Sequence, residues 1–369
     1  MAEAREEARQ GETDRRFMAA AIRLSRRHLG LTGTNPSVGT LIVRDGVIVG
    51  RGVTAVGGRP HAETQALAEA GDLAHGATAY VTLEPCAHHG RTPPCANALV
   101  AAGVARVVGA ASDPDPRVAG KGYAILRAAG IDVVEGVLDA PAGEVLAGYL
   151  NRSLSKRPEV TLKLAVSPDG MIGRQGDGQV AITGAVSRRQ VHLMRAEADA
   201  ILIGIGTALN DDPELTCRLP GLEGRSPVRI VIDRSLRLPL SSKLASSARQ
   251  TPVLLAGGGS ADRRGVLAEK GIGFLAVEAH EDKIALPELL EDLAARGIAT
   301  VMVEGGALTA SHFLDEDLVD RIVLFVGSAE IGERGVRSPL LPGPMPSGFA
   351  LVRQDSFGDD RCFEYVRKR

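Results

Sequence analysis

Three side chains that bind soft divalent metals, His61, Cys86 and Cys95, fall in one short stretch, and a carboxylate, Glu63, stands two residues after the histidine. A catalytic zinc takes three protein ligands of this kind and leaves the fourth tetrahedral position for water, while a nearby Glu that is not a ligand moves protons. His-Ala-Glu followed by Pro-Cys and a second Cys is the zinc nucleobase-deaminase signature, in which two residues ordinarily separate the cysteines. Here eight do, Ala87-His88-His89-Gly90-Arg91-Thr92-Pro93-Pro94, and they bring two imidazoles and a guanidinium to the lip of the expected pocket. A closed structural zinc, or two buried cysteines without metal, are the bland alternatives. Both leave Glu63 without a purpose, and a fourth ligand is not obvious beyond His88 or His89.

Mid-helix, residues two apart point roughly 200° from one another, so His61 and Glu63 can share a pocket only at a first helical turn. The pattern supplies that turn: a Gly57-Gly58-Arg59-Pro60 loop and then a helix over 62–74. Before it come an amphipathic helix from Asp14, marked by Phe17, Ala20, Ala21, Leu24 and His28, and a hairpin of strands 40–43 and 47–53 about an Asp45-Gly46 turn. After it come strand 78–83, helix 95–102, strand 105–110, helix 120–129 and strand 131–134. Residues 1–12 are charged and aperiodic and read as a flexible tail. A helix over 140–157 ends in a polar run before Pro158, where the domain boundary is placed. The expected organisation is a tail of 1–12, a zinc deaminase domain of 13–157 and a second α/β domain of 158–369.

Composition narrows the classes. In 369 residues, 44% are hydrophobic, 24% are charged and the formal net charge is −2, which describes a globular protein without the cationic field of a nucleic-acid binder. The longest apolar runs are too short to span a bilayer, and the opening Met1–Glu7 lacks the apolar core of a secretory leader. A cytoplasmic enzyme with no membrane or nucleic-acid partner is expected. Four cysteines make no disulfide framework; Cys86 and Cys95 are the metal-binding pair, and Cys217 and Cys362 are structural.

The second half has weaker signals. Gly204-Ile205-Gly206 follows a strand over 199–203, and Glu304-Gly305-Gly306 follows a strand over 299–303. Glycine turns at strand ends let backbone approach a phosphate and aim helix N–H groups at it. The full dinucleotide fingerprint is missing, so a standard Rossmann domain is not expected. Lys163 sits in an otherwise apolar strand, Thr-Leu-Lys-Leu-Ala-Val, and a charge there needs a partner.

At these residues the chain resembles the bifunctional deaminase/reductase family of riboflavin biosynthesis. The resemblance rests on His61-Ala62-Glu63, Thr82 through Cys95 with its His-His-Gly-Arg-Thr-Pro-Pro insert, and Asn35-Pro36-Ser37-Val38-Gly39. In the second half it rests on Lys163 through Gly170, Ile182-Thr183, Arg195, Gly206-Thr207, Asp211 through Thr216, Arg218 and Val303 through Gly306. It implies a cytidine-deaminase-like α/β/α sandwich followed by an α/β domain similar to dihydrofolate reductase. The implied chemistry is zinc-dependent deamination of a phosphoribosylamino-diaminopyrimidine, then NADPH-dependent reduction of its ribosyl group to ribityl.

Carried over position by position, the resemblance implies zinc ligands at His61, Cys86 and Cys95 and a proton shuttle at Glu63. Asn35 and His88 fall at the pyrimidine, and Arg91 at the phosphate, where a guanidinium pairs bidentately. Ala165, Thr207, Asp211, Gly306, Ala307, Leu308 and Thr309 fall at NADPH; Lys163, Gln179, Thr183, Arg195, Leu215, Arg218 and Glu304 fall at the second substrate. Arg195 and Arg218 are then candidate phosphate anchors, and Lys163, Asp211 or Glu304 the proton source. Where many members have an aromatic residue before Ile-Thr, this chain has Ala181, and it has no Trp at all. The resemblance also implies a dimer or tetramer. A monofunctional deaminase with a silent second half, or a zinc-containing nucleotide sensor, are the competing readings.

Overall fold

The computed structural model describes residues 2–90, 93–176, 178–277, 279–280, 283–343 and 345–368. The chain divides into two compact units, Met1–Lys156 and Arg157–Arg369.

The first unit runs α1 (Ala2–Ser25), β1 (Gly39–Arg44), β2 (Val47–Val53), α2 (Ala62–Ala70), β3 (Thr78–Leu83), α3 (Cys95–Ala101), β4 (Arg106–Ala111), α4 (Lys121–Ala128), β5 (Asp132–Val134), α5 (Asp139–Val145) and α6 (Ala147–Ser155). Its strands form one sheet in the order β2-β1-β3-β4-β5, antiparallel through β1 and parallel from β3 to β5. Helices cover both faces, with one core around Phe17, Met18, Tyr80 and Leu146 and another around Ile42, Leu99, Val107 and Leu126.

Residues 1–12, expected to be a flexible tail, are instead helical from Ala2 onward. Residues 5–12 are all exposed, so no apolar stripe marks them. They propagate the helix that Asp14, Phe17, Met18, Ala21 and Ile22 bury, because adding a residue to a packed helix costs far less than nucleating one. The expected single helix over 140–157 is broken at Leu146, which lies near the bridge region at φ −91°, ψ 2°.

Two glycines on β2 determine where α2 sits. A Cβ at Gly52 would fall 1.9 Å from Ala62 O, and one at Gly50 would fall 2.2 Å from Ala66 O. The helix, with Ala62, Ala66 and Ala70 toward the sheet, therefore packs backbone to backbone. That close seat fixes the first turn of α2, which carries the chemistry.

The second unit runs β6 (Glu159–Val166), β7 (Met171–Arg174), α7 (Ala185–Glu197), β8 (Ala200–Gly204), α8 (Ile205–Asp211), β9 (Val228–Ile232), α9 (Lys243–Ser246), β10 (Val253–Ala256), α10 (Ala261–Glu269), β11 (Gly273–Leu275), β12 (Ala279–His280), β13 (Lys283–Ile284), α11 (Leu286–Ala295), β14 (Thr300–Val303), α12 (Ala307–Asp315), β15 (Arg321–Val326), β16 (Gly335–Arg337), β17 (Phe349–Phe357) and β18 (Asp360–Arg367). Nine of these strands form one sheet in the order β11-β10-β9-β8-β14-β6-β15-β18-β17. It is parallel from β11 to β15 and antiparallel at β18 and β17.

In β6 alternate residues Val160, Leu162, Leu164 and Val166 are buried in the main core. The period of two turns Lys163 and Ala165 to the opposite face. Beyond β6, β7 pairs with β16 beside the main sheet.

Candidate active sites

In the first unit His61 is the N-cap of α2, held extended at φ −69°, ψ 161°, and Glu63 lies in the first turn. Cys95 opens α3, and Cys86 lies in the loop that leaves β3. One ligand atom from each of His61, Cys86 and Cys95 lies within 4.8 Å of the others. His61 Nδ1 is 3.3 Å from Cys95 Sγ and 3.8 Å from Cys86 Sγ, and the Cys95 backbone N–H donates to Cys86 Sγ at 3.2 Å.

The two thiols are driven in opposite directions. A hydrogen bond from Cys95 brings Cys86 down to about 4, and the same contact, with burial, pushes Cys95 far up. An imidazole and two sulfurs facing one point, one of them already a thiolate, are a donor set that fits zinc. Glu63 is 4% exposed, and burial, with the charge on Cys86 adding to it, raises its carboxyl to about 7.

A cavity of about 630 Å³ opens from this point. Asn35, His88, Glu84, Asp113 and Tyr149 line it, and Arg59, Arg117 and Arg152 stand on its walls. Gly58, at φ +87°, backs Asn35 so closely that a Cβ there would fall 2.3 Å from Asn35 Nδ2. His88 Nδ1 is buried without a hydrogen-bond partner among the described residues, so a ligand in the cavity would satisfy it.

In the second unit a cavity of about 1080 Å³ lies over the C-terminal ends of the parallel strands. On its floor Glu304 accepts Arg195 Nε at 2.8 Å and Nη2 at 3.0 Å, and Lys163 Nζ lies 3.7 Å from the same carboxylate. Burial alone would raise the Glu304 carboxyl, but the two cations override it and hold it at about 2. Burial lowers the Lys163 ammonium, with Glu304 opposing.

The cradle at one side is built from glycine. β8 and β14 are parallel neighbours, each followed by a helix whose N-cap is glycine, Gly204 for α8 and Gly306 for α12. Gly306 N donates to Thr207 Oγ1 at 3.1 Å. A Cβ at Gly204 would fall 2.4 Å from Thr309 Oγ1, and one at Gly305 2.6 Å from Thr309 Cβ. The α12 N-terminus, with unpaired N–H groups and the positive dipole end, suits a dinucleotide phosphate.

The comparisons with known proteins cover both units. Residues 11–111 match the cytidine and deoxycytidylate deaminase zinc-binding region, and residues 158–362 match the RibD C-terminal domain. The riboflavin biosynthesis protein RibD of Aquifex aeolicus is 40% identical over 333 residues, which cover 89% of this chain and 92% of that protein. The RibD of Escherichia coli is 38% identical over 341 residues, again 89% and 92%. The chain belongs to the RibD family. Acinetobacter baumannii RibD superposes with a TM-score of 0.85 at 36% identity, covering 97% of this chain and all of that one. A Thermotoga maritima diaminohydroxyphosphoribosylaminopyrimidine deaminase/5-amino-6-(5-phosphoribosylamino)uracil reductase does so with 0.84 at 32% identity, covering 97% and 99%. As a RibD protein the chain is a bifunctional enzyme of riboflavin biosynthesis, a zinc-dependent deaminase and an NADPH-dependent reductase. The deaminase-like and reductase-like α/β folds are those of this family.

Within this RibD fold most of the expected residues meet at the two cavities. His61, Glu63, Cys86, Asn35 and His88 line the first, with Cys95 against it; Lys163, Ala165, Gln179, Thr183, Arg195, Thr207, Asp211, Arg218, Glu304 and the stretch from Gly306 to Thr309 line the second. Leu215 does not line it: its side chain is buried behind, 4% exposed, with φ +56°. Arg91 lies outside the described residues.

Two roles change. Arg195, a candidate phosphate anchor, commits its guanidinium to Glu304 and donates through Nη1 to Thr216 O at 3.2 Å. Glu304, a candidate proton source, has its carboxyl held well below the ordinary carboxylate range by Arg195 and Lys163. Ala181 is exposed on the cavity wall, so no side chain of its own fills the space of the family's aromatic residue.

Sequence reasoning also passed over residues that the structure brings to the cavities. Asp113, in a Pro-flanked stretch that reads as a turn, is 6% exposed and accepts the Tyr149 hydroxyl at 2.9 and 3.1 Å. Its place just past a buried strand end was the available signal. His192 lines the second cavity with Nδ1 3.1 Å from Thr216 O. It stands three residues before Arg195 on α7, a spacing that puts both on one helix face.

Proposed function

We propose that the first site, within residues 13–157, deaminates 2,5-diamino-6-(5-phosphoribosylamino)pyrimidin-4(3H)-one to 5-amino-6-(5-phosphoribosylamino)uracil. The second, within 158–369, reduces that product to 5-amino-6-(5-phosphoribitylamino)uracil. The observation that carries this reading is the convergence of His61, Cys86 and Cys95 at the mouth of a cavity that Glu63 also lines, in a chain whose second unit has a separate cavity large enough for a dinucleotide and a substrate.

In the first site His61, Cys86 and Cys95 would hold zinc. Bound there, zinc would supply a water acidic enough to attack at neutral pH. Glu63 takes that water's proton and returns it to the departing amine, which leaves as ammonia. Asn35 and His88 hold the pyrimidine, His88 through an Nδ1 that has no partner among the described residues, and Arg91 takes the phosphate.

In the second site Ala165, Thr207, Asp211 and the Gly306–Thr309 turn hold NADPH, which supplies the hydride. Lys163, Gln179, Thr183, Arg195, Arg218 and Glu304 hold the opened ribose. Because Glu304 stays ionised, Lys163 is the floor residue with a proton to give, and its lowered affinity for that proton makes it the better acid. Arg218 is half exposed, its guanidinium held among the described residues by the solvent-exposed Glu214 and by Thr216, and it is the residue assigned to the phosphate. Leu215 acts from behind the wall.

Among the described residues no helix is long and apolar enough to cross a membrane. We place the enzyme in the cytoplasm as a dimer or tetramer, acting on small phosphorylated pyrimidines and not on nucleic acid.

The test is a time course with the diaminopyrimidine. Without NADPH the reaction stops at the deaminated product; with NADPH it runs on to the ribityl compound. Deamination with no NADPH oxidation on the supplied intermediate would reduce the chain to a monofunctional deaminase.

A further inference from the structure

Arg229, on β9, is the largest of the fully buried side chains, 0% exposed. Its hydrogen-bond partners among the described residues are all neutral. Nη1 donates to Glu214 O at 3.1 Å and to Ser247 Oγ at 2.8 Å, and Nη2 donates to the carbonyls of Ser247, at 3.2 Å, and Thr251. Nε has no acceptor among the described residues. A buried cation whose hydrogen bonds reach no carboxylate among the described residues is costly, and burial lowers even this guanidinium to about 10, with the Glu214 charge opposing. An apolar residue would pack more cheaply, so the gain must lie in what the guanidinium holds.

What it holds is one end of a short wall. From the Glu214 carbonyl the chain passes through Leu215, at φ +56°, a conformation that a bulky residue adopts only when its surroundings impose it. The next carbonyl, Thr216 O, receives Arg195 Nη1 at 3.2 Å and lies 3.1 Å from His192 Nδ1. Arg195 then grips Glu304 at 2.8 and 3.0 Å. The wall is pinned a second time at Asp212, whose Oδ1 accepts Lys243 N at 2.9 Å.

We propose that Arg229 is a positioning residue of the reductase: by fixing the Glu214 carbonyl it sets the Leu215 turn, and through it the Thr216 carbonyl that aims Arg195 and His192 at the cavity floor. The proposal rests on the reductase reading above. It also explains how Leu215, buried away from the cavity, bears on the substrate.

The test uses the full zinc-loaded chain, in which deamination is an internal control for folding. Three variants are compared by NADPH oxidation on supplied deaminated intermediate, by deamination and by thermal unfolding. R229M is expected to raise KM for the intermediate about tenfold or more, with KM for NADPH and deamination within about twofold of wild type. R229K, whose ammonium can still donate to a carbonyl, recovers part of that loss. S247A removes only the hydroxyl acceptor; it lowers the unfolding temperature and leaves KM within about twofold. An unchanged KM in R229M, equal rises for both substrates, or S247A reproducing the R229M defect would overturn the proposal. Should R229M not fold, R229K decides on the same criteria. Absence of NADPH oxidation by the wild type would instead overturn the reductase reading, and this inference with it.

Discussion

Arg195 and Glu304 meet through two parallel contacts, Nε to Oε1 at 2.8 Å and Nη2 to Oε2 at 3.0 Å, on the floor of the second cavity. Both side chains are nearly enclosed, 12% and 10% exposed. A bidentate pair of this kind is rigid and directional, so the floor is set before substrate arrives.

The pair makes stability depend on acid. The Glu304 carboxyl in the folded chain, at about 2, lies below its ordinary 4.5. Its anion therefore stabilises the fold fully above about pH 4.5, and the contribution disappears as pH falls toward 2. The amount is roughly 3 kcal/mol. Thermal unfolding followed from pH 6 to pH 2 should show this loss in wild type and a flatter profile in E304Q. Parallel profiles would mean that Glu304 is not held ionised.

Metal removal should separate the two activities. Chelation, or H61A, C86S or C95S, should leave less than about a tenth of an equivalent of zinc and abolish deamination, because three donors are needed to keep the ion. Reduction of supplied intermediate should continue at the wild-type rate. Zinc analysis beside both assays checks this, and a reductase that fails with the metal gone would contradict it.

The glycine cradle should be intolerant of a methyl group. In G305A the new Cβ would sit 2.6 Å from Thr309 Cβ and 2.9 Å from Thr309 Cγ2. Relief requires the α12 N-terminus to shift, and a displacement of even 1 Å is costly to a bound phosphate. The dissociation constant for NADPH, measured by fluorescence titration, should rise about tenfold or more, with deamination unaffected. Unaltered affinity would remove this turn from the cofactor site.

Asp14 anchors the first unit. It accepts Arg106 Nη1 at 2.8 Å, Arg106 Nη2 at 2.9 Å and the Tyr80 hydroxyl at 2.9 Å, at 3% exposure. D14A leaves the mostly buried Arg106 guanidinium with Asp132 as its remaining carboxylate and removes the acceptor of Tyr80, and should cost about 2 kcal/mol. Differential scanning calorimetry should show the deaminase unit unfolding at lower temperature while the reductase activity persists.

How far the sequence reached depended on the range of the interactions involved. The His61–Cys95 constellation was readable because its residue types and spacing are local, and β3 was delimited to the residue by its apolar run between turns. Lys163 was recognised as a charge in need of a partner because strand alternation is local too. Its partner was not: Glu304 is held by Arg195, 109 residues earlier in the chain, and nothing in either neighbourhood announces that pairing. The sequence therefore offered them phosphate and proton roles that their mutual contact redirects. Asp113 failed for the opposite reason, since its Pro-flanked setting reads as a turn whether or not a cavity lies beside it. β17 was missed because an edge strand with Leu351 and Val352 exposed lacks the alternation that burial imposes.

Two variants assayed side by side test the central claim, that one chain carries two separable stations. E63Q should keep its zinc, lose deamination by about a hundredfold or more and reduce supplied intermediate normally. E304Q should deaminate normally and lose reduction by a comparable factor. Mixing the two variants with the diaminopyrimidine and NADPH should then restore formation of the ribityl product. If either variant loses both activities, or if E63Q deaminates at the wild-type rate, the account is wrong.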